Sequence, residues 1–235
     1  MKINHSLRSK GLTLIELLIA MAISGIIMAG IYSAFTTQQD SYFIQDQVAE
    51  MQQNIRAGLY IMTSDIRMAG FDPTSNANAG IVTATSGRFG FTQDINEDGD
   101  TADSGESVTY GFSSTYDVTA DGIADGGSAP LGKNSGTATG IGGGGFQSIS
   151  ENIEKVEFYY TLADDTLTTT PTAAQLGNIR SVKISILAII DKPDRKFVNT
   201  QTYTSASGAD WTPASPDNFR RRFQTMTVKC RNMGL

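Results

Sequence analysis

The N-terminal part of the chain is a long, almost uncharged hydrophobic segment that follows a short basic one. Residues 1–11 carry three lysine or arginine side chains and no acid, whereas the 24 residues from 12 to 35 carry a single charge, Glu16. A helix of that length is about 36 Å long, which is enough to cross the roughly 30 Å hydrocarbon core of a bilayer. Because positive flanks stay in the cytoplasm, we expect the rest of the chain to be exported.

The next segment, residues 37–70, has the period of an amphipathic helix. Apolar residues recur at steps of three and four, with polar residues on the faces between them. They are Ile44, Val48, Met51, Ile55, Leu59, Met62, Ile66 and Ala69. Gly70 and the following Asp72-Pro73 pair supply a stop signal. The pattern predicts one continuous helix, apolar at 12–36 and amphipathic at 37–70, whose second half packs on a sheet. A coiled coil is the alternative, but the repeat is too short for a clear heptad.

Beyond Pro73 the pattern changes to short alternating runs separated by turn-forming clusters. Alternation of apolar and polar residues predicts strands at 108–112, 156–162, 182–190 and 224–228. Stretches rich in Gly, Ser, Thr and Asp predict loops at 72–80, 113–145 and 163–177. A long helix followed by antiparallel strands indicates an α+β fold, with a β-rich globular domain over 71–235.

Composition excludes several classes of function. The net charge of −6 argues against nucleic acid as the main partner. Cys230 is the single cysteine, so the chain forms no intrachain disulfide, and His5 is the single histidine. His5 lies in the basic segment, which we expect to be removed. The remaining chain then has no histidine for a catalytic triad or a His-ligated zinc site, and we expect no enzymatic activity. The basic run at 220–222 is expected to pair with acids of a neighbouring subunit or to be solvated.

The junction between the basic and the apolar segments carries a specific motif, SKGLTLIELL, at residues 9–18. An ordinary signal peptide is cut after its apolar stretch, whereas here a glycine precedes it. The string resembles the type IV prepilin cleavage signal. This resemblance implies that a prepilin peptidase removes residues 1–11 by cutting after Gly11, that the new N-terminus, Leu12, is methylated, and that Glu16 acts in filament assembly. Phenylalanine is commonest at the position of Leu12, and the family accepts other apolar residues there.

The position of Glu16 also has a physical explanation. An ionisable side chain inside an apolar span is costly unless it has a partner. Once the leader is removed, the amine created at Leu12, on a neighbouring subunit or on the same chain, is the natural cation for this carboxylate. The alternative is a signal anchor in which Glu16 lies near the membrane interface.

Further segments resemble the PilW-type minor pilins. They lie at 38–42, 65–71, 151–158, 179–184, 220–222 and 231–232. The resemblance implies a pilin-like fold and a structural role in starting or capping a type IV pilus. It also implies other pilins, a prepilin peptidase and an inner-membrane assembly platform as partners, with the chain in the bacterial inner membrane first and in the pilus later. The alternatives are a pseudopilin of a type II secretion system and a membrane-anchored module for calcium-dependent adhesion.

One acidic loop has the spacing of a metal site. Asp94, Asn96, Asp98 and Asp100 place side-chain oxygens at alternate positions, and Gly99 allows a turn, as in the first half of an EF-hand-like calcium loop. The second half departs from that pattern, because Glu106 comes one residue late, although Asp103 can substitute. Calcium is therefore the one candidate cofactor, and a solvated acidic turn is the alternative.

Overall fold

The computed structural model describes residues 11–136, 145–213 and 215–234. They form one long α-helix, eight β-strands and a short 3₁₀ helix at Ala173–Asn178. The elements are α1 (Leu14–Ile66), β1 (Ile81–Ala84), β2 (Arg88–Thr92), β3 (Ser107–Gly111), β4 (Ala129–Gly136), β5 (Gln147–Leu162), β6 (Leu167–Thr168), β7 (Ile179–Ile189) and β8 (Arg221–Lys229). By its contacts the chain divides into two compact units, Met1–Asp46 and Gln47–Leu235, and α1 contributes to both.

The predicted continuous helix is confirmed. In the first unit the helix has no described side chain buried, whereas in the second it presents a buried stripe at Met51, Ile55, Leu59, Met62 and Ile66. Regular α-helix ends at Ile66, and turns continue to Gly70, whose φ of 74° suits a glycine.

The second unit is built on one antiparallel sheet in the order β1-β2-β3-β4-β5-β7-β8, with β6 paired to β5. The buried stripe of α1 packs with apolar residues of the sheet in a single core. A polar link joins the same elements, because Asp65 of α1 accepts hydrogen bonds from the hydroxyl of Tyr110 in β3 and from Lys133 Nζ in β4, the latter at 2.6 Å. The α+β fold predicted from the sequence is therefore confirmed.

Two of the predicted loops contain regular structure. The predicted loop at 113–145 contains β4, and the one at 163–177 contains β6 and part of the 3₁₀ helix. β4 lies between β3 and β5, so both of its edges form backbone hydrogen bonds. Backbone pairing on two sides holds this sequence of Gly, Lys, Asn and Ser in a strand although its side chains do not alternate in the usual way.

A long segment between β7 and β8, residues 190–220, is held against the sheet by a second small cluster. Trp211 and Tyr203 pack with Leu187, and Phe223 packs against the same cluster. The buried carboxylate of Glu157 in β5 accepts hydrogen bonds from the hydroxyls of Ser205 and Ser207, at 3.0 and 2.6 Å.

Candidate functional site

The start of the helix contains the predicted cleavage and assembly residues. Gly11 and Leu12 precede α1 in exposed chain without regular secondary structure. A Cβ atom built on Gly11 meets no atom within 4 Å, so the described fold imposes no steric need for glycine there. A requirement for glycine at this position would therefore come from another protein that binds the chain there.

Glu16 caps the beginning of its own helix in the single chain. Its Oε2 accepts hydrogen bonds from the backbone N–H of Thr13 at 2.9 Å and from Thr13 Oγ1 at 2.8 Å, while the Glu16 N–H donates to Thr13 Oγ1 at 3.3 Å. This reciprocal arrangement is a capping box, which satisfies N–H groups that have no partner inside the helix. The carboxylate is thus fixed at the helix N-terminus, close to the position where cleavage would create a free amine.

Residues 12–35, which include the first part of α1, form an uncovered apolar surface. Large hydrophobic side chains are exposed all around the helix, at Leu12, Leu14, Ile15, Leu17, Leu18, Ile19, Met21, Ile23, Ile26, Ile27, Met28, Ile31, Tyr32 and Phe35. Among the described residues this helix is the one that is long and apolar enough to cross a membrane. A soluble monomer rarely exposes a contiguous apolar surface of this extent, so the helix requires lipid or other helices around it.

The acidic loop lies between β2 and β3, and the structure brings only part of the predicted set together. Asp94 is fully buried, whereas Asn96, Asp98 and Asp100 are exposed. Carboxylate oxygens of Asp94, Asp98 and Glu106 lie within 4.8 Å of one another.

A second group of carboxylates shares Asp98 with the first and adds Asp100 and Asp103. The amide of Asn96 instead donates hydrogen bonds to Asp98 at 3.0 Å and to Asp103 at 2.7 Å. Glu106, which the sequence spacing placed one residue too late, is therefore the carboxylate that joins Asp94 and Asp98.

Two arginines of the basic run at 220–222 have different surroundings from those predicted. Arg220 pairs with Asp194 at 2.8 Å, and Arg221 pairs with Glu154 at 2.5 Å and Asp217 at 2.7 Å. The prediction that this basic run pairs with a neighbouring subunit or is solvated is therefore wrong for these two arginines, whose acids come from the same chain.

Comparison with known protein families gives two matches. A family model described as the prokaryotic N-terminal methylation motif matches residues 6–32. A second, described as type IV pilus-assembly protein W, matches residues 134–232. The two matches support a type IV pilin-like minor pilin. The second match covers the PilW-like segments from 151 onward, whereas those at 38–42 and 65–71 lie outside it.

Comparison with solved structures gives a type IV-like pilin from Thermus thermophilus, at 12% sequence identity and a TM-score of 0.46. The match covers 77% of this chain and 97% of that one. No curated protein matches the sequence.

For a type IV pilin-like protein, the site at the start of α1 has two consequences. The prepilin motif implies processing by a peptidase, and the pilin character implies interaction with other pilins. The apolar helix that follows the motif is suited to membrane anchoring.

Proposed function

We propose that this minor pilin helps to initiate or cap a type IV pilus, after a prepilin peptidase has cut between Gly11 and Leu12 and the amine of Leu12 has been methylated. The observation that carries the proposal is the apolar surface of residues 12–35, which is exposed in the single chain and carries one acid, Glu16. A bundle of such helices buries this surface, and the acid is then the one side-chain charge left inside it.

Cleavage accounts for the glycine that the fold does not require. Because a Cβ at Gly11 would have open space around it, substitution there leaves the described structure undisturbed. A peptidase that binds the chain closely at the scissile bond would be blocked by a branched side chain. The leader at 1–11 also carries the basic residues that keep the N-terminus in the cytoplasm until cleavage.

Glu16 gains a new partner at the same step. Before cleavage its carboxylate is held by Thr13 in the capping box. Cleavage creates an amine on Leu12 that keeps its positive charge after methylation. In an apolar bundle an unpaired carboxylate and an unpaired amine would each be costly, whereas a pair between subunits satisfies both and fixes their register.

The parts of the chain then have distinct roles. Residues 12–36 anchor the precursor in the bacterial inner membrane and later enter the filament core, and an inner-membrane assembly platform moves them from one to the other. Residues 37–70 carry the amphipathic half of the helix, and 71–235 form the exported domain. The role is structural and uses no catalytic group. The one thiol fits this role, because burial raises the pKa of Cys230 to about 12 and keeps it protonated.

The processing step can be tested with two matched glycine variants. We expect Gly11→Val to leave the full-length precursor in the membrane, whereas Gly25→Val, within the apolar span and equally free of steric contacts, is cut normally. Mass spectrometry of the N-terminal peptide should show methylated Leu12 in the wild type and in Gly25→Val. Normal maturation of Gly11→Val would contradict the proposal.

The filament role is tested by deleting the gene and counting surface pili by electron microscopy. A subunit that starts or caps filaments should be present at few copies per pilus, and its loss should sharply reduce the number of pili. Unchanged piliation combined with loss of protein secretion would instead indicate a pseudopilin and would contradict the pilus role.

A further inference from the structure

The loop at residues 93–106 has a fixed conformation at both of its ends. The Gln93 N–H donates to the Glu106 carbonyl at 2.9 Å, which closes the loop between β2 and β3. The Asp94 N–H donates to the Phe71 carbonyl at 2.7 Å, which ties the loop to the chain that leaves α1. The two carboxyl groups at the ends of the loop, Asp94 and Glu106, are both buried.

The three converging carboxylates have the separation that one ion requires. Oxygen ligands lie about 2.3–2.6 Å from a calcium ion, so two ligands of the same ion are at most about 5 Å apart. Oxygens of Asp94, Asp98 and Glu106 meet this limit, since all lie within 4.8 Å of one another. Asp100 and Asp103 make a second group with Asp98 and so place further oxygens beside the first.

An independent observation at Asp94 points to a cation at this position. Its side chain is 0% exposed. One oxygen, Oδ2, accepts hydrogen bonds from the Gly99 N–H at 3.1 Å and from Thr74 Oγ1 at 3.4 Å. The other, Oδ1, is buried and receives no hydrogen bond from any residue in the described ranges 11–136, 145–213 and 215–234. A buried carboxylate oxygen without a partner is strongly unfavourable, and a bound cation removes that penalty.

The charge of the loop favours a cation as well. Residues 94–106 contain six acids and no lysine, arginine or histidine. Carboxylates this close repel one another, and a divalent ion bound between them offsets that repulsion because it attracts each carboxylate. Oxygen donors alone, in an irregular loop without sulfur or nitrogen ligands, suit calcium rather than zinc.

We propose that the β2–β3 loop binds one calcium ion through Asp94, Asp98 and Glu106, with Asp100 and Asp103 supplying outer charge. This ligand set revises the one expected from sequence spacing, since Asn96 orients Asp98 and Asp103 through its amide instead of joining the three carboxylates. The site does not depend on the proposed filament role.

Binding is expected to stabilise the connection between α1 and β1. Gly99 of the loop lies against this connection, since a Cβ built on it would be 3.4 Å from Thr74 Oγ1 and 3.5 Å from Asn76 Cβ. The Thr74 hydroxyl lies 3.4 Å from Asp94 Oδ2 and 3.2 Å from Asp72 Oδ1, so its one proton is within hydrogen-bond distance of both carboxylates. An ion at Asp94 therefore fixes the chain at the point where it leaves the helix.

The test is isothermal titration of the full chain in detergent with calcium chloride, and with magnesium chloride in parallel, together with thermal melts in each salt. Extracellular calcium modules have dissociation constants of about 10⁻⁴–10⁻³ M, so we expect one site in that range and a higher melting temperature in about 5 mM calcium. Magnesium should produce neither effect at the same concentration, because it requires a tighter octahedral site.

Two variants with equal loss of charge separate a site from general screening. Asp98→Asn removes an exposed member of both carboxylate groups, and Glu97→Gln removes a neighbouring exposed acid that belongs to neither. Since loss of even an outer-shell partner weakens metal sites about 10–100-fold, Asp98→Asn should weaken calcium binding at least about tenfold, and Glu97→Gln should keep it close to wild type. No calcium-dependent shift in the wild type, an equal shift with magnesium, or equal loss in the two variants would each overturn the proposal.

Discussion

Arg221 is the side chain whose loss should most clearly weaken the sheet domain. Its side chain is 4% exposed and lies between two carboxylates, with its Nε 2.5 Å from Glu154 Oε2 and its Nη2 2.7 Å from Asp217 Oδ2. In Arg221→Met both acids, of which Glu154 is 16% and Asp217 28% exposed, lose their shared cation. Breaking a buried ion pair by removing one partner costs about 3–5 kcal/mol, and partial solvent access to the two acids favours the lower end, about 3 kcal/mol.

That energy converts into a measurable shift of the melting temperature. For a protein of this size each kcal/mol lowers the melting temperature by about 2–4 °C, so we expect a decrease of about 6–12 °C. Trp211 is the single tryptophan and packs edge-on against Phe223 of β8, with ring centroids 5.8 Å apart, so its fluorescence reports the melting of this region. Arg222→Met is the matched control, because Arg222 is the exposed neighbour in the same strand.

The pH dependence gives a second readout of the same variant. The hydrogen bond from Arg221 lowers the pKa of Asp217 below its usual value. A carboxyl whose pKa is lowered by folding stabilises the protein above its unfolded pKa, about 3.9, and that contribution is lost as the pH falls through the folded pKa. The difference in stability between wild type and Arg221→Met should therefore narrow as the pH falls below about 4. Equal effects of the two methionine variants, or a difference that does not change with pH, would refute the ion-pair reasoning.

Two further predictions concern packing in the second unit. Ile55→Ala, at a fully buried position of α1, should destabilise the protein by about 2–5 kcal/mol in denaturant titrations, whereas Tyr60→Ala, 78% exposed on the same helix, should change stability by less than about 0.5 kcal/mol. Gly122→Ala should be more destabilising than Gly127→Ala, because both glycines have φ near 90° but a Cβ at Gly122 would lie 2.2 Å from the Val156 carbonyl oxygen. The strain common to both is about 1–3 kcal/mol, so melting temperatures that agree between the two alanine variants would contradict the assigned close contact.

The helix could be predicted from the sequence because its period is long and regular. Six of the eight apolar positions named from that period are buried, from Met51 to Ala69, while Ile44 and Val48 are half-buried. Burial of one face is the physical cause of the period, so the period predicts both the helix and its buried face. Alternation of apolar and polar residues indicates the strands at 156–162 and 182–190 for the same reason.

Strands that alternation does not indicate, such as β4, depend on neighbours that are distant in the sequence. β4 has few apolar side chains and is a strand because β3 and β5 pair with it on both sides. The place of Glu106 beside Asp94 and Asp98 could not be predicted for a related reason. Its spacing departs from an EF-hand loop by one residue, and the folded β2–β3 connection nevertheless brings it to Asp94 and Asp98. The spacing of residues along a loop does not indicate which side chains meet when the loop closes between two paired strands.

The proposed role of Glu16 in filament assembly can be measured as the piliation of a deletion strain that carries Glu16→Val, with Glu50→Val as control. Both variants remove one acid from α1, but Glu50 is an exposed residue outside the apolar span. Both proteins should be cut after Gly11 and accumulate at normal levels in the membrane. We expect few surface pili with Glu16→Val and normal piliation with Glu50→Val. Wild-type piliation with Glu16→Val would contradict the proposed role.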